Sequence, residues 1–427
     1  MRPAAPGSLG SPPSETCFAL LDDCAATAQR RRSRLYTGHE GTLACERADQ
    51  LKALFDAMGL ATRAGLHAVG LFSYELGAAL QGIRPVAGSR VPLARILLFS
   101  RLDHLSDTEV RGWLADRAGP TPATVSDLCA DVNEAQYRAD IARIQAYIEQ
   151  GHTYQVNYTY RLGFRSRGSL QALYARLRAR QPVPYGALIE LPEGEAVLSL
   201  SPELFMQHRD GRLLARPMKG TAEAGPPGQA RAARARALAG DAKNRAENVM
   251  IVDLLRNDIG RVALTGSVTV PRLFDVQAFG SVLQMTSTIR GRLRPEVGLG
   301  ELFEALYPCG SITGAPKRRT MEIIRELERS PRGLYTGAIG WFGPAADDDG
   351  RRAGDFCLSI PIRTLELGAP DADGTRAGRM GIGSGIVHDS DAGLEFQECR
   401  LKADFLSGMA MAGSHDPAAM AGQLSPA

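Results

Sequence analysis

The segment Met380-Gly-Ile-Gly-Ser-Gly-Ile-Val387 is apolar, rich in glycine and bounded by polar residues, which is typical of a β-strand in a protein interior. Two similar segments, 335–343 and 356–364, precede it, and polar loops join the three. The last segment leads into a predicted helix that begins at Ser390 or Asp391, because either side chain can cap a helix N-terminus. This part of the chain therefore predicts a sheet with at least one helix beside it.

Upstream of these strands, the pattern again alternates between strand-rich blocks and helices. Apolar residues at helical spacing predict a helix that starts at Asn133, and a strand is expected from about Tyr154. Residues 185–216 are interpreted as short strands, with the dipeptide Asp210-Gly211 at a hairpin turn. Further helices are predicted at 229–238, 243–257 and 317–328. This order predicts an α+β or mixed α/β fold with large, mainly antiparallel sheets.

The chain has 427 residues, and a size of about 150 residues per domain would give roughly three domains. Composition divides it into an N-terminal region at 16–115 and a larger region at 133–410, with a predicted linker at 116–132. The two ends, 1–15 and 412–427, are rich in Pro, Gly, Ser and Ala and are predicted to be flexible.

Charge and cysteine usage exclude several classes of protein. Lys and Arg total 50 against 47 Asp and Glu, a net charge of +3, which is too balanced to favour a nucleic-acid-binding protein. The seven cysteines are scattered without a CxxC pair, so neither a disulfide framework nor a zinc site is predicted, and a reducing cytoplasm is expected. No apolar run reaches the roughly 20 residues of a membrane helix. We therefore expect a soluble, untargeted protein.

Carboxylates predict a possible metal site. Glu395, Glu398 and Lys402 fall on one stripe of the helix that follows Asp391, and Glu247 precedes an apolar helical face. Carboxylates that converge from separate helices are the ligands that Mg2+ prefers, usually together with an anionic group of the substrate. Taken alone, the same spacing also fits ordinary exposed Glu–Lys pairs.

Two glycine-rich segments and one lysine leave several interpretations open. The glycines from Gly381 to Gly385 could let backbone amides approach an anion, or could simply pack tightly against another strand. The segment does not match GxGxxG, and 310–317 lacks the Gly-Lys-Ser/Thr order of a phosphate loop, so nucleotide binding is disfavoured. Lys219 follows a predicted strand and could contact an anion, act as a nucleophile or be exposed. No Ser-His-Asp or Cys-His arrangement can be assembled from the sequence.

Segments between about 133 and 410 together resemble the chorismate-utilising enzymes, which include anthranilate synthases, aminodeoxychorismate synthases, isochorismate synthases and salicylate synthases. The matching segments, in family order, are 154–159, 201–205, 217–221, 243–253, 255–260, 310–317, 332–337, 362–364, 381–387 and 395–398. The resemblance implies an anthranilate synthase component I-like fold, with two packed, mainly antiparallel β-sheets flanked by helices and the site between them. It also implies that the region at 16–115 packs onto this catalytic unit.

Two positions discriminate among branches of the family. The isochorismate and salicylate enzymes have a water-activating lysine where this chain has Gln155, which favours ammonia as the nucleophile. Anthranilate synthases have alanine where this chain has Lys219, and the aminodeoxychorismate branch has lysine. The resemblance therefore implies amination of chorismate to 4-amino-4-deoxychorismate, on the route to p-aminobenzoate and folate. An anthranilate synthase component, or a non-catalytic subunit that only docks an amidotransferase, is the alternative.

The resemblance also implies roles for individual residues. Glu247 and Glu398, with Glu395 nearby, would hold Mg2+, which would bridge the ring carboxylate of chorismate. Lys219 would be the nucleophile, and Glu203 would protonate the departing hydroxyl. A nucleophilic lysine must be neutral, so the pKa of Lys219 is expected to be lowered by burial or by a neighbouring cation.

A further set of residues would bind the substrate, with Arg363 and Tyr335 at the enolpyruvyl carboxylate. The set comprises Gln155, Thr221, Gln284, Thr313, Tyr335, Arg363, Gly383, Ser384, Gly385 and Lys402. Many relatives have histidine at the position of Gln284. Because an amide cannot relay a proton near neutral pH, Gln284 is expected to orient the substrate.

The sequence shows no amidotransferase signature, meaning a reactive cysteine in a glycine-rich turn with downstream His and Glu. Ammonia is therefore expected from a separate glutamine amidotransferase subunit, or from ammonium at high concentration. A pyridoxal-phosphate lyase domain is also absent from the sequence, so elimination of pyruvate is expected to belong to another enzyme.

Overall fold

A computed structural model describes residues 13–84, 92–279, 282–345 and 352–407, and the predicted flexible ends lie outside these ranges except for residues 13–15. Within the described residues the chain forms eighteen strands and ten α-helices. The strands are β1 Phe18–Asp22, β2 Ser33–Cys45, β3 His67–Phe72, β4 Ala94–Leu105, β5 Thr124–Ala130, β6 Gln155–Arg167, β7 Tyr185–Glu190, β8 Ala196–Ser201, β9 Leu204–Arg209, β10 Arg212–Arg216, β11 Met218–Glu223, β12 Thr269–Phe279, β13 Val282–Arg292, β14 Gly314–Ala315, β15 Ala338–Phe342, β16 Phe356–Ser359, β17 Thr364–Leu367 and β18 Arg376–Ile386. The helices are α1 Leu51–Arg63, α2 Tyr74–Leu80, α3 Asp107–Arg117, α4 Glu134–Glu149, α5 Leu170–Arg180, α6 Gln229–Gly240, α7 Ala242–Gly260, α8 Leu299–Leu306, α9 Lys317–Leu327 and α10 Ala392–Ser407.

The strands form one continuous antiparallel series. Its order is β13, β10, β9, β16, β15, β3, β4, β2, β1, β7, β8, β17, β18, β6 and β5, with β11 and β12 also paired to β13 and β14 to β6. The two halves of the series pack on each other through a buried cluster that contains Val69 and Leu97 from one half and Ala187 and Ile189 from the other. The mixed α/β fold with packed antiparallel sheets is thus confirmed, and the two sheets are joined through the β1–β2 pair.

The N-terminal region shares the hydrogen bonding of the rest of the chain. Strand β1 pairs with β7, and β3 pairs with β15. The prediction of a linker at 116–132 is wrong over Thr124–Ala130, since this segment forms β5 and pairs with β6. Only Val125 of that strand is fully buried, so the segment has little of the apolar pattern by which a strand is detected.

Local signals in the sequence are confirmed at two element ends. Asp210 and Gly211 both have positive φ, 49° and 74°, and join β9 to β10 as a tight hairpin. Asp391 caps α10, because its Oδ1 accepts a hydrogen bond from the backbone N–H of Leu394 at 2.8 Å.

Among the described residues, no helix combines the length and the apolar character needed to cross a membrane. All seven cysteines lie in the described ranges, and all have free thiols.

Candidate active site

One face of the β6–β18 pair forms the floor of the site. Gly385 lies opposite Asn157 and Gly383 opposite Thr159, so alternate residues of both strands face the same side. Along residues 381–385 of β18 that side has only the glycines at 381, 383 and 385, so the strand backbone itself forms the floor there, whereas Ala377 and Arg379 lie on the same side further along the strand. Ser384 and its neighbours on the other side pack under α4 and α10, where the Ser384 hydroxyl lies 2.9 Å from the hydroxyl of Tyr137.

Lys219 and Gln155 meet directly above this floor. A Cβ atom added to Gly385 would lie 2.9 Å from Nζ of Lys219 and 2.7 Å from Nε2 of Gln155. Lys219 lies where the β11–β13 register shifts, between Met218 and Thr221, and the next residue, Gly220, has a φ of 87°. Such irregularities turn a side chain away from the regular pleat, and glycine adopts a positive φ without strain.

The surroundings of Lys219 make its amine easier to deprotonate. Burial lowers the pKa of Lys219, and the charge of Lys402 acts in the same direction. The carboxylates of Glu247, Glu203 and Glu398 oppose this effect, without reversing it. The expected lowering of the pKa, by burial and a neighbouring cation, is therefore found.

Glu203 is a buried carboxyl group close to this lysine. Only 4% of Glu203 is exposed, and burial raises its pKa from 4.5 to about 7. The hydroxyl of Ser311 donates a hydrogen bond to its Oε1 at 2.8 Å, and a backbone hydrogen bond from Met218 also reaches it. A carboxyl group with this pKa retains its proton up to neutral pH, as a general acid requires.

The acidic residues of α7 and α10 face one another across the site. Burial raises the pKa of Glu247, and the charges of Glu395 and Glu398 add to the increase. Burial would also raise the pKa of Glu398, but the adjacent ammonium of Lys402, 2.7 Å from Oε1, lowers it overall. Oε1 of Glu395 accepts a hydrogen bond from the hydroxyl of Ser390 at 2.9 Å.

Oxygen donors of this kind suit a hard divalent cation, and a cation would relieve the repulsion that raises the pKa of Glu247. In the part of the chain that the structure describes, however, no three His, Cys, Asp or Glu side chains are arranged as a ready-made metal site. Glu247, Glu395 and Glu398 are thus near neighbours rather than a preformed ligand set.

Arg363, which the resemblance assigns to the enolpyruvyl carboxylate, is a buried cation. Arg363 has a φ of 52°, immediately before β17, and its Nη1 is buried without a hydrogen-bond partner. Burial lowers its pKa to about 10. The ring of Tyr335 packs on Gly381, where an added Cβ would lie 2.1 Å from the ring. An unpartnered guanidinium is costly to bury, so an anionic ligand would stabilise this site.

Two amide side chains also have unused hydrogen-bonding capacity. Neither Oε1 nor Nε2 of Gln155 has a partner, although the residue is fully buried. Oε1 of Gln284 is likewise buried without a partner. Each buried polar group without a partner lowers the stability of the folded protein by about 1–3 kcal/mol. A polar ligand that hydrogen-bonds these groups would offset this loss.

The other predicted binding residues are differently placed. Thr313 is fully buried, and its hydroxyl donates to backbone carbonyls of its own turn, those of Cys309 and Gly310, at 3.3 Å. Thr221 is exposed on β11, opposite Gln284. Lys402 donates to the carbonyl oxygen of Gly383 at 2.9 Å. The hydroxyl groups of Thr313 and Ser384 thus have partners within the protein.

Sequence reasoning missed a buried ionic network that contacts β6, where the hydroxyl of Thr159 donates to Glu328 at 2.9 Å. Glu328 accepts hydrogen bonds from the guanidinium groups of Arg332 and Arg161, and Arg332 donates to the carbonyl oxygen of Asn157 at 2.7 Å. The Glu75 carboxylate accepts from the backbone N–H of Arg332 at 2.7 Å. Arg332 belongs to a matched motif, 332–337, and Glu328 lies four residues before it, but nothing in the sequence pairs either residue with Arg161.

The chain is similar to proteins of known sequence and structure. The sequence pattern of the chorismate binding enzyme family matches residues 16–408. The chain is 38% identical over 349 residues to aminodeoxychorismate synthase component 1 of Klebsiella aerogenes, covering 78% of this chain and 74% of that protein. It is 39% identical over 295 residues to an anthranilate synthase component 1 of Haloarcula marismortui, covering 67% and 57%. The crystal structure of anthranilate synthase component I from Streptococcus pneumoniae has the same fold, with a TM-score of 0.68 at 23% identity, covering 95% and 93%.

Proposed function

Because the chain belongs to the chorismate binding enzyme family, we propose that it is the chorismate-binding component of an aminodeoxychorismate synthase. It converts chorismate and ammonia to 4-amino-4-deoxychorismate, for p-aminobenzoate and folate synthesis. The observation that supports this activity is the meeting of Lys219 with Gln155 above Gly385. An amine in that position suits covalent catalysis, and the amide of Gln155 replaces the lysine that would activate water in the isochorismate and salicylate enzymes.

Chorismate is a dianion, and the site has separate groups for its two carboxylates. The unpartnered guanidinium of Arg363 suits the enolpyruvyl carboxylate, with the ring of Tyr335 beside it. We place the backbone of Gly383 and Gly385 between the two ends of chorismate, since both residues lie on one face of β18. The unused amide groups of Gln155 can hydrogen-bond the ring substituents.

The reaction then needs a neutral amine and a protonated acid. The Lys219 amine attacks C2 of the ring, and the C4–O bond breaks as the hydroxyl leaves with the Glu203 proton as water. Ammonia adds at C4, the C2–N bond to Lys219 breaks, and a proton from the incoming ammonia returns to Glu203. Burial favours both reactive forms, because it lowers the pKa of Lys219 and raises that of Glu203 to about 7.

We also propose Mg2+ as the cofactor, held by Glu247 and Glu398 with Glu395 nearby. When bound, Mg2+ would neutralise the ring carboxylate and draw electron density from the ring. The support is electrostatic, since three acidic side chains influence one another across the site. The replacement Glu398→Gln should weaken Mg2+ binding measured by calorimetry while leaving the circular dichroism spectrum unchanged. Unchanged Mg2+ affinity would contradict this ligand.

A glutamine amidotransferase subunit is the proposed source of ammonia, since relatives such as the Klebsiella protein are described as component 1. Large apolar side chains are exposed at Tyr154, Val249, Leu394 and Leu401. Each lies within two residues, along the chain, of a side chain assigned to the site. A partner that covers them would release ammonia close to Gln155, so we place the docking surface there.

The double replacement Leu394→Asp with Leu401→Asp tests this surface. With the amidotransferase present, glutamine-dependent activity should be lost while activity with ammonium is kept. Leu60→Asp, an exposed leucine on α1, serves as the matched control and should retain both activities. Retention of glutamine-dependent activity by the double variant would contradict the placement.

We further propose a cytoplasmic location. The seven cysteines are all unpaired, and free thiols persist in a reducing compartment. Measurement of the free thiol content of protein isolated from its native cells would test this proposal.

Product analysis tests the proposed activity most directly. The protein is incubated with chorismate, Mg2+ and ammonium, and the products are identified by mass spectrometry. The expected product is 4-amino-4-deoxychorismate, without release of pyruvate. Formation of anthranilate with pyruvate would instead show the activity named for the Haloarcula relative, and the absence of any product would favour a docking role alone. Lys219→Ala should abolish formation of the amino product.

A further inference from the structure

Ser311 forms a hydrogen bond that the reaction above does not yet use. It lies in the short 3₁₀ turn Gly310–Ile312 and is 5% exposed. Its hydroxyl donates to Oε1 of Glu203 at 2.8 Å, and the thiol of Cys309 lies 3.2 Å from the same hydroxyl oxygen. Because a hydroxyl has one proton, the thiol can donate to Ser311 while Ser311 donates to Glu203.

This arrangement distinguishes the two oxygens of the Glu203 carboxyl group. In its acidic form, a carboxyl group has one hydroxyl oxygen and one carbonyl oxygen, and only the hydroxyl oxygen can give up a proton. The oxygen that accepts from Ser311 is stabilised as the carbonyl oxygen. The acidic proton is therefore held on Oε2, and a rotation that would exchange the two oxygens has to break a buried hydrogen bond.

The groups that face Glu203 come from two other elements. Lys219 and the backbone of Met218 approach from β11, and Cys309 and Ser311 approach from the turn. Burial raises the pKa of Glu203, whereas the hydrogen bond from Ser311 and the charge of Lys219 lower it. Loss of the Ser311 hydroxyl should thus raise this pKa further. The orientation of the carboxyl group would also be lost, independently of the change in pKa.

Resting on the function proposed above, we propose that Ser311 is a positioning residue for the catalytic acid. Its hydroxyl holds Oε1 of Glu203, so that the proton is delivered from Oε2 to the leaving C4 hydroxyl of chorismate. Ser311 itself exchanges no proton with the substrate, and Glu203 is the group that loses a proton as water departs.

The test compares Ser311→Ala and Ser311→Thr with the wild-type chain in the chorismate, Mg2+ and ammonium assay between pH 5.5 and about 9. Dividing each variant rate by the wild-type rate at the same pH cancels the ionisation of ammonium. For Ser311→Ala, kcat should fall about 10- to 100-fold, as expected when a hydrogen bond to the charge that develops on Glu203 during proton transfer is lost, while KM for chorismate stays unchanged. The alkaline limb of the pH–rate profile is expected near pH 7 in the wild type, the pKa of Glu203. In Ser311→Ala it should move to higher pH. Ser311→Thr retains the hydroxyl, so it should restore most of the rate and return the alkaline limb to its wild-type pH.

Ser359→Ala is the matched control, since Ser359 is also a buried serine whose hydroxyl donates to a backbone carbonyl, that of Ile339 at 3.2 Å. It should change neither kcat nor the alkaline limb. The positioning role is wrong if Ser311→Ala lowers kcat without moving the alkaline limb. It is also wrong if Ser311→Thr fails to restore kcat although its circular dichroism spectrum and thermal unfolding match the wild type. Failure of the wild-type chain to form the amino product would instead contradict the proposed function.

Discussion

The site depends on residue 385 being a glycine, which has no side chain. A Cβ there would press on Nζ of Lys219 and Nε2 of Gln155, at 2.9 and 2.7 Å. Both atoms are the free ends of long side chains and can move at little cost in stability. The consequence of a methyl group would therefore be displacement of the two reactive groups rather than unfolding.

Gly385→Ala should consequently abolish amination of chorismate while changing the free energy of unfolding by less than about 1 kcal/mol. Activity is measured by product mass and stability by urea denaturation. Gly340→Ala is the contrasting replacement, because its Cβ would lie 1.8 Å from the backbone oxygen of Cys357, which cannot move aside. If Gly385→Ala were fully active, Lys219 and Gln155 would not have the roles assigned to them.

The buried carboxyl group of Glu203 should also make stability depend on pH. Its pKa is raised from 4.5 to about 7 in the folded protein. The stabilising contribution is therefore complete below the pKa of the unfolded chain and is lost as pH rises through the folded pKa. Glu203→Gln, which cannot ionise, should match the wild type at pH 5 and exceed its free energy of unfolding by about 2–3 kcal/mol at pH 8. Equal stabilities at pH 8 would show that Glu203 ionises freely in the folded chain.

Sequence motifs identified the two residues that we propose to react, but not the residues that contact them. Lys219 and Glu203 lie in segments with a recognisable order, and the structure brings them together as expected. The Ser311 contact with Glu203, by contrast, joins residues 108 positions apart, and the contact of Arg161 with Glu328 joins residues 167 positions apart. Such contacts depend on three-dimensional placement, which periodicity along the chain does not encode.

At the scale of elements, helix α10 positions three of the predicted site residues through its N-terminus. Oδ1 of Asp391 accepts from the N–H of Leu394, and the first turn contains Glu395. Asp391→Ala should destabilise the protein by about 1 kcal/mol, the usual effect of a lost helix cap, and should weaken Mg2+ binding as this turn frays. Thermal unfolding and calorimetry measure the two effects. Asp389→Ala, at an exposed aspartate paired with His388, is the control and should change neither.

Elements with a strong apolar period or a clear end signal were predictable. The helix expected at 317–328 is found as α9, Lys317–Leu327, and the hairpin at Asp210 and Gly211 is confirmed. Strand β5 was not predicted because most of its side chains remain exposed. Its position is set by pairing with β6, so tertiary context rather than local sequence determines this strand.

For the whole molecule, the buried ionic network joins distant parts of the chain beside β6. Glu328 accepts from Arg332 and Arg161 while almost fully buried. Glu328→Gln removes the charge that compensates both guanidinium groups and should lower the free energy of unfolding by about 3 kcal/mol. Glu326→Gln, at an exposed glutamate paired with Arg143, should change it by less than about 1 kcal/mol. Urea denaturation compares the two, and equal effects would contradict a stabilising role of the network.

The continuous strand series also constrains how the protein can be made. Gly70 of β3 pairs with Gly340 of β15, so one edge of β3 has no partner until the ribosome has added those later residues. At about 5–20 residues per second this delay lasts roughly 15–50 s. During it, the nascent chain presents an open strand edge, which is prone to pair with other chains. We therefore expect fragments that end before β15 to aggregate, and the nascent protein to depend on chaperones during its synthesis.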